Sequence, residues 1–292
     1  MKQRVITALA LLCVLAVVVW QIYTPVFVVV IAFFSAVAAN EIMKCAKVSN
    51  KFILCLGTAV AAVIPFFSNE SILEPLVSTE KWGEVVNAFP DMAFIAVIAL
   101  VFFLAMLKGY SHTKFEDVAI AIVASIIVPY GFSMFGILRD FTGFKTQLGI
   151  YLIFFGLISA LGTDVGAQLG GMAFGKHKMS PNISPKKTVE GAVCGVIFSF
   201  ILNGCAMAIY NKTALEPVPR EYMITLLCCA PVVSVMGMMG DLTASVLKRN
   251  FGIKDFGKIF PGHGGVMDRF DSSLFTIPLT YCIATLINSF AK

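Results

Sequence analysis

The chain has 292 residues, 58% of them hydrophobic and 13% charged, with a mean hydropathy of +0.87 and a formal net charge of +5. Soluble domains carry roughly a quarter charged residues, so the composition excludes a soluble globular domain and points to an all-α integral membrane protein. The small net charge gives no footprint for nucleic acid, and eight Cys without a CxxC pair or metal-ligand spacing exclude a zinc or disulfide framework.

The first apolar stretch, Val5 to Asn40, is too long for one span of a hydrocarbon core about 30 Å thick. It breaks at QIYTP, where Gln21 and Tyr23 suit an interface and Pro25 suits the first position of a new helix. Lys2 and Arg4 precede an apolar run much longer than the core of a cleaved signal peptide, so this segment is expected to be retained. Further charge-free windows follow at Phe52 to Asn69, Met92 to Leu107, Val118 to Leu138, Thr146 to Thr163, Gly191 to Asn211, Tyr222 to Gly240 and Ser272 to Ala291. The expected architecture is about nine transmembrane helices. The N-terminus and the loops after helices 2, 4, 6 and 8 carry 16 of the 22 Lys and Arg. By the positive-inside rule that side is cytoplasmic and the C-terminus lies outside.

Residues 1–145 read as a transmembrane scaffold of about five helices. Its main polar feature near a helix end is Glu41, expected to pair with Lys44 or Lys47. Pro129, inside an apolar run, is expected to kink its helix or end it early. Residues 146–292 read as the catalytic region, about four helices with cytoplasmic loops at 164–190 and 241–271.

In the first of these loops Asp164, Gln168 and Gly171 share a helix face. A carboxylate at membrane depth costs several kcal/mol (about 2.5 to 3.5 on insertion scales) and calls for a partner or a role. Gly162, Gly166, Gly170, Gly171 and Gly175 admit two readings, close helix packing or close approach of a ligand. Ser184, Lys186, Lys187 and Thr188 combine cations and hydroxyls before a helix start, as phosphate binding requires, and Glu190 complements the helix dipole.

In the second loop Asp241, Ser245 and Lys248 fall on one face if the preceding helix continues. Asn250 to Gly265 then holds five Gly and one Pro. Gly264 and Gly265 permit close backbone approach to a phosphate. His263, between glycines, is either a base or a hydrogen-bonding loop residue, with the structural role favoured. Asp268 and Asp271 are spaced i, i+3 at the mouth of the last helix. Acids surrounded by Lys248, Arg249, Lys254, Lys258 and Arg269 suit a divalent cation and polyphosphate. Surface ion pairs, with Asp268 or Asp271 capping the helix, are the plainer reading of the same residues.

The ordered series Ser245, Lys248-Arg249, Lys254-Asp255, Gly257, Phe260-Pro261, His263-Gly264-Gly265, Asp268-Arg269 and Asp271 resembles the C-terminal motif of the phosphatidate cytidylyltransferases, bacterial type, also called CDP-diacylglycerol synthases. The DVGA, FGK and ISPKKTVEG stretches are similar to the same family, with Gln168 less typical. The resemblance implies that CTP and phosphatidic acid give CDP-diacylglycerol and pyrophosphate with Mg2+, with Asp241 and Asp268 holding a metal pair. It implies a multi-pass protein of a bacterial inner membrane, among membrane lipids. A homodimer is compatible with the small-residue helix faces. A different lipid headgroup transferase shares these features. A transporter instead predicts polar residues spread through the membrane depth and repeat symmetry, which the sequence lacks.

Overall fold

The computed structural model describes residues 16–67, 91–142, 147–214, 217–262 and 264–290. Most of the first expected span, and His263, lie outside the described residues. The described chain is helical apart from one two-stranded hairpin and an isolated bridge between Phe260 and Gly264. Six helices are long and apolar enough to cross a membrane, and two shorter apolar helices accompany them, among the described residues.

Two compact units divide the chain: residues up to Ile137 together with Asp255–Asp268, and Leu138–Lys254 together with Arg269 onward. In the first unit, helix α1 (Pro25–Cys45) begins with Pro25 at its first turn, and Thr24 closes the preceding turn by donating its hydroxyl to the Gln21 carbonyl at 2.8 Å. Proline suits this position because the first N–H groups of a helix have no partner inside it. Helix α2 (Lys51–Phe67) packs on α1 through polar cross-links, Ser35 Oγ to the Ala61 carbonyl at 2.8 Å and Asn40 Nδ2 to Thr58 Oγ1 at 2.9 Å. Helix α3 (Asp91–Lys108) follows.

Pro129 does not end its helix. α4 (Phe115–Ile122) passes through a π-helical turn, Val123–Ile127, into α5 (Val128–Arg139), so the segment continues across the proline. Proline lacks an N–H and crowds the carbonyl four residues earlier; the wider π turn accommodates both. Ser133 donates back to the Pro129 carbonyl at 2.9 Å.

The second unit contains α6 (Gln147–Phe174), a hairpin of β1 (Lys178–Ser180) and β2 (Ser184–Thr188), α7 (Val189–Thr213), α8 (Arg220–Asn250) and α10 (Ser273–Phe290). The short α9 (Met267–Phe270) straddles the passage between units. The segments expected as loops from 164 and from 241 begin later, because α6 runs on to Phe174 and α8 to Asn250. At 1.5 Å per residue α8 is about 46 Å long, roughly 16 Å more than the hydrocarbon core. Its apolar part accounts for the core, so the turns from Asp241 onward extend beyond it.

α6 and α7 pack most closely, along a seam of small residues. A Cβ on Gly166 would sit 2.6 Å from the Phe198 Cβ, and one on Gly195 would sit 2.6 Å from the Thr163 carbonyl oxygen. Gly162 and Gly170 face Ser199 and Cys194 in the same seam. Gly162, Gly166 and Gly170 thus serve helix packing. Lipid supplies no hydrophobic drive between helices, so backbone proximity and polar links hold them. Here the links are Asn203 Nδ2 to Ser159 Oγ at 3.0 Å and Ser234 Oγ to Ser199 Oγ at 2.9 Å.

Gly166→Ala is therefore expected to lower thermal stability in detergent by about 1–3 kcal/mol, the usual cost of overpacking. At Gly204 the nearest atom to an added Cβ is 4.0 Å away, and Gly204→Ala should be neutral or gain up to about 1 kcal/mol from helix propensity. Equal melting shifts for the two variants would refute the seam.

Candidate active site

The glycine-rich motif of the first unit is organised by two carboxylates. Phe260 N–H donates to the Gly264 carbonyl at 3.0 Å, closing a tight turn in which Gly262 and Gly264 have φ of +77° and +88°. Glycine reaches these angles at no steric cost. Asp268 turns back over the loop, where its Oδ2 accepts the N–H of Phe256 at 2.8 Å and of Gly265 at 3.0 Å. The plainer reading of Asp268 as a helix cap thus gives way to a clasp on the loop before it. Lys254 and Lys258 are exposed.

Glu41 departs from the expectation of pairing with Lys44 or Lys47. It is buried, and its Oε1 accepts Val266 N–H at 3.2 Å while Oε2 accepts Met267 N–H at 3.0 Å. A Cβ on Gly257 or Gly265 would overlap this carboxylate. Two of the motif's glycines are therefore explained by a residue more than two hundred positions earlier.

In the second unit the chemistry gathers around three acids. Asp164, two-thirds of the way along α6, accepts a long hydrogen bond from Ser272 Oγ at 3.4 Å and lies in the field of Asp241, Lys187 and Arg269. Asp241, on α8, forms an ion pair with Lys187 of β2. Gly240 brings α8 against the Asp271 backbone: a Cβ there would stand 2.6 Å from the Asp271 carbonyl oxygen. Asp271 Oδ1 accepts Ser272 N–H at 2.8 Å, and Lys248 adds a favourable charge. Arg249 is exposed and reaches the Ile183 carbonyl through Nε at 3.3 Å. Ser245 follows Asp241 on α8, half-buried.

The hairpin separates the roles of the two adjacent lysines. Side chains alternate across a strand, so Lys187 turns to Asp241 while Lys186 is exposed and Ser184 half-buried. Thr188, expected to face phosphate, is buried and caps α7 by accepting Gly191 N–H at 3.1 Å. Glu190 does more than complement the helix dipole. It accepts the N–H groups of Lys176 and His177 at 3.0 and 3.1 Å and pairs with His177 Nδ1 at 2.5 Å, tying the end of α6 to the start of α7.

Asp271 is 8% exposed, and burial with the Asp241 carboxylate, and to a lesser degree Asp164, raises its carboxyl from the ordinary 3.8 to about 7 against the pull of Lys248 and Ser272. The three acids are met by Lys187, Lys248 and Arg269. No three His, Cys, Asp or Glu side chains among the described residues converge as a complete metal cage. A Mg2+ ion arriving with substrate phosphates needs only one or two protein carboxylates, and the residues fit that mode.

With this geometry in view, the match to a model of the Cytidylyltransferase family extends over residues 2–287. The chain belongs to this family. Its relatives include the phosphatidate cytidylyltransferase of Bacillus subtilis, 35% identical over 68% of this chain and 69% of that protein. That of Staphylococcus epidermidis is 32% identical over 80% and 84%, and that of Staphylococcus saprophyticus 36% identical over 65% and 68%.

The raised Asp271 fixes a pH dependence for this family member. An acid whose folded pKa exceeds its unfolded value stabilises the fold at low pH, and that contribution is lost as pH rises from about 4 through about 7. Asp271→Asn should match wild-type stability near pH 4 and exceed it increasingly up to about pH 7, with a constant difference above. Melting curves in detergent without divalent cations test this; a difference that does not vary with pH would remove the buried charge as its cause.

Proposed function

We propose that this protein is a phosphatidate cytidylyltransferase, converting CTP and phosphatidic acid to CDP-diacylglycerol and pyrophosphate. The observation that carries the reading is the gathering of Asp164, Asp241 and Asp271 with Lys187, Lys248 and Arg269 on and beside helices apolar enough to span a membrane. A lipid phosphate and a nucleoside triphosphate can meet at such a place, one from the bilayer and one from water. Family membership and the names of the relatives support the same reaction.

In this reaction an oxygen of the lipid phosphate attacks the α-phosphorus of CTP in line. A new P–O bond forms, the bond to the β-phosphate oxygen breaks, and pyrophosphate departs with the electron pair. No covalent enzyme intermediate is required. Catalysis then consists of positioning and charge stabilisation. Lys187 is held by Asp241 in this structure, and in the reaction it transfers to the polyphosphate, leaving Asp241 available as a ligand. Lys248, Arg249 and Arg269 take up charge developing on the leaving group, and the exposed Lys186, Lys254 and Lys258 attract the nucleotide. Asp241 and Asp268 would hold Mg2+, which when bound neutralises the triphosphate and stabilises the attacking and leaving oxygens.

The same reading places the chain in a bacterial inner membrane with nine spans, the reactive segments on the cytoplasmic side, and a second copy as a partner. In sealed inverted vesicles, cysteines introduced by Lys186→Cys and Lys258→Cys should react with an impermeant maleimide from the same side. Reaction from opposite sides refutes the shared site.

The reaction is tested by transfer of label from CTP to phosphatidic acid in detergent. Wild type should give lipid-soluble label that a chelator abolishes, and folded Asp268→Asn should be slower by about 10²–10³-fold or more. Absence of labelled lipid with monodisperse wild type and Mg2+ refutes the assignment and favours another lipid phosphate reaction.

A further inference from the structure

Glu41 stands in the half of the sequence that carries no other site residue, yet the structure places its carboxylate against the motif loop. Each oxygen accepts one of two consecutive backbone N–H groups, Val266 and Met267, immediately before Asp268. Asp268 in turn holds Phe256 and Gly265 N–H, and the Cys45 thiol, one helical turn after Glu41, donates to the Phe256 carbonyl at 3.0 Å. Four N–H groups of the loop thus end on two carboxylates. Gly257 and Gly265 are both packed against Glu41 with no room for a Cβ.

We infer that Glu41 is a positioning residue for cytidylyl transfer, fixing through the Val266 and Met267 amides the backbone that aims Asp268. This rests on the reaction proposed above. Only a carboxylate suits the position. Gln has the same shape but offers one acceptor oxygen and an NH2 donor, so one loop N–H would face another donor. Without two acceptors the loop must move, and displacement of a reacting group by about 1 Å is sufficient for about a 10²-fold loss of rate.

Glu41→Gln separates this role from simple packing because it leaves no cavity. Turnover per folded, monodisperse enzyme should fall about 10²-fold, with KM for CTP within about threefold of wild type. Amide exchange at Val266 and Met267 should accelerate at least about tenfold while exchange in α7 and α8 is unchanged. A purely structural role would lower the melting temperature and the folded yield but leave turnover per folded molecule intact. As a second measurement, Gly257→Ala should cost much more activity in wild type than in Glu41→Asp, whose side chain is one methylene shorter, because the clash is with the Glu41 carboxylate itself. Wild-type turnover in Glu41→Gln, unaltered exchange at both amides, or additive effects of Gly257→Ala and Glu41→Asp would each overturn the inference. Failure of the underlying reaction looks different: wild type itself would form no CDP-lipid, while the exchange measurement would still decide whether Glu41 holds the loop.

Discussion

The demand of irregular backbone for hydrogen-bond partners governs this protein. Helices satisfy their own N–H and C=O groups, and that is why apolar chains cross membranes as helices. A glycine-rich loop between such helices has no internal ladder, and burying its N–H groups unpaired would cost each its full desolvation penalty. Glu41 and Asp268 supply the acceptors for Phe256, Gly265, Val266 and Met267. Because charged acceptors make hydrogen bonds about twice as strong as neutral ones, two side chains are enough to fix a loop of unusual backbone angles. The dense glycine content follows: side chains at 257 and 265 would occupy the space of the Glu41 carboxylate.

A parallel constraint shapes the second unit, where close helix approach brings charges together. The α6–α7 seam holds α6 in register with the start of α7, and with it the hairpin that presents Lys187. Gly240 lets α8 lie against the Asp271 backbone, so Asp241 and Asp271 share a neighbourhood that larger residues would separate. The polar residues inside these spans divide accordingly. Ser159, Ser199, Asn203 and Ser234 bond one another and glue helices, whereas Asp164, Asp241 and Asp271 lie among cations.

The helices were legible because their signals are local: charge-free windows of spanning length, Pro25 at a helix start, and the continuation of α8 that puts Asp241, Ser245 and Lys248 in one line. The candidate residues were legible by type, since acids, lysines and glycines between apolar runs are costly without a role. What the sequence did not carry was pairing. Glu41 has two lysines within helical reach, and nothing local announces that its partners are amides at 266 and 267. Thr188, beside two lysines, reads as a phosphate ligand, and nothing local announces that its hydroxyl accepts Gly191 N–H instead. The hairpin at 178–188 was missed because its strands are three and five residues long with no apolar alternation. The π turn at 123–127 was missed because Pro129 predicts a disturbed ladder without specifying which remedy relieves it.

The division of the chain falls inside its densest motif. Asp268 closes the segment that packs with the first unit, while Arg269 and Asp271 belong to the second. One peptide bond therefore joins a carboxylate held by loop amides to a segment whose acid is buried among other acids. These environments differ. Asp268 is engaged by the N–H groups of Phe256 and Gly265, whereas burial and the neighbouring Asp241 and Asp164 disfavour the charge on Asp271. Residues three positions apart in one charged motif thus stand in different surroundings, and Glu41 fixes the backbone leading into the first of them through the Val266 and Met267 amides.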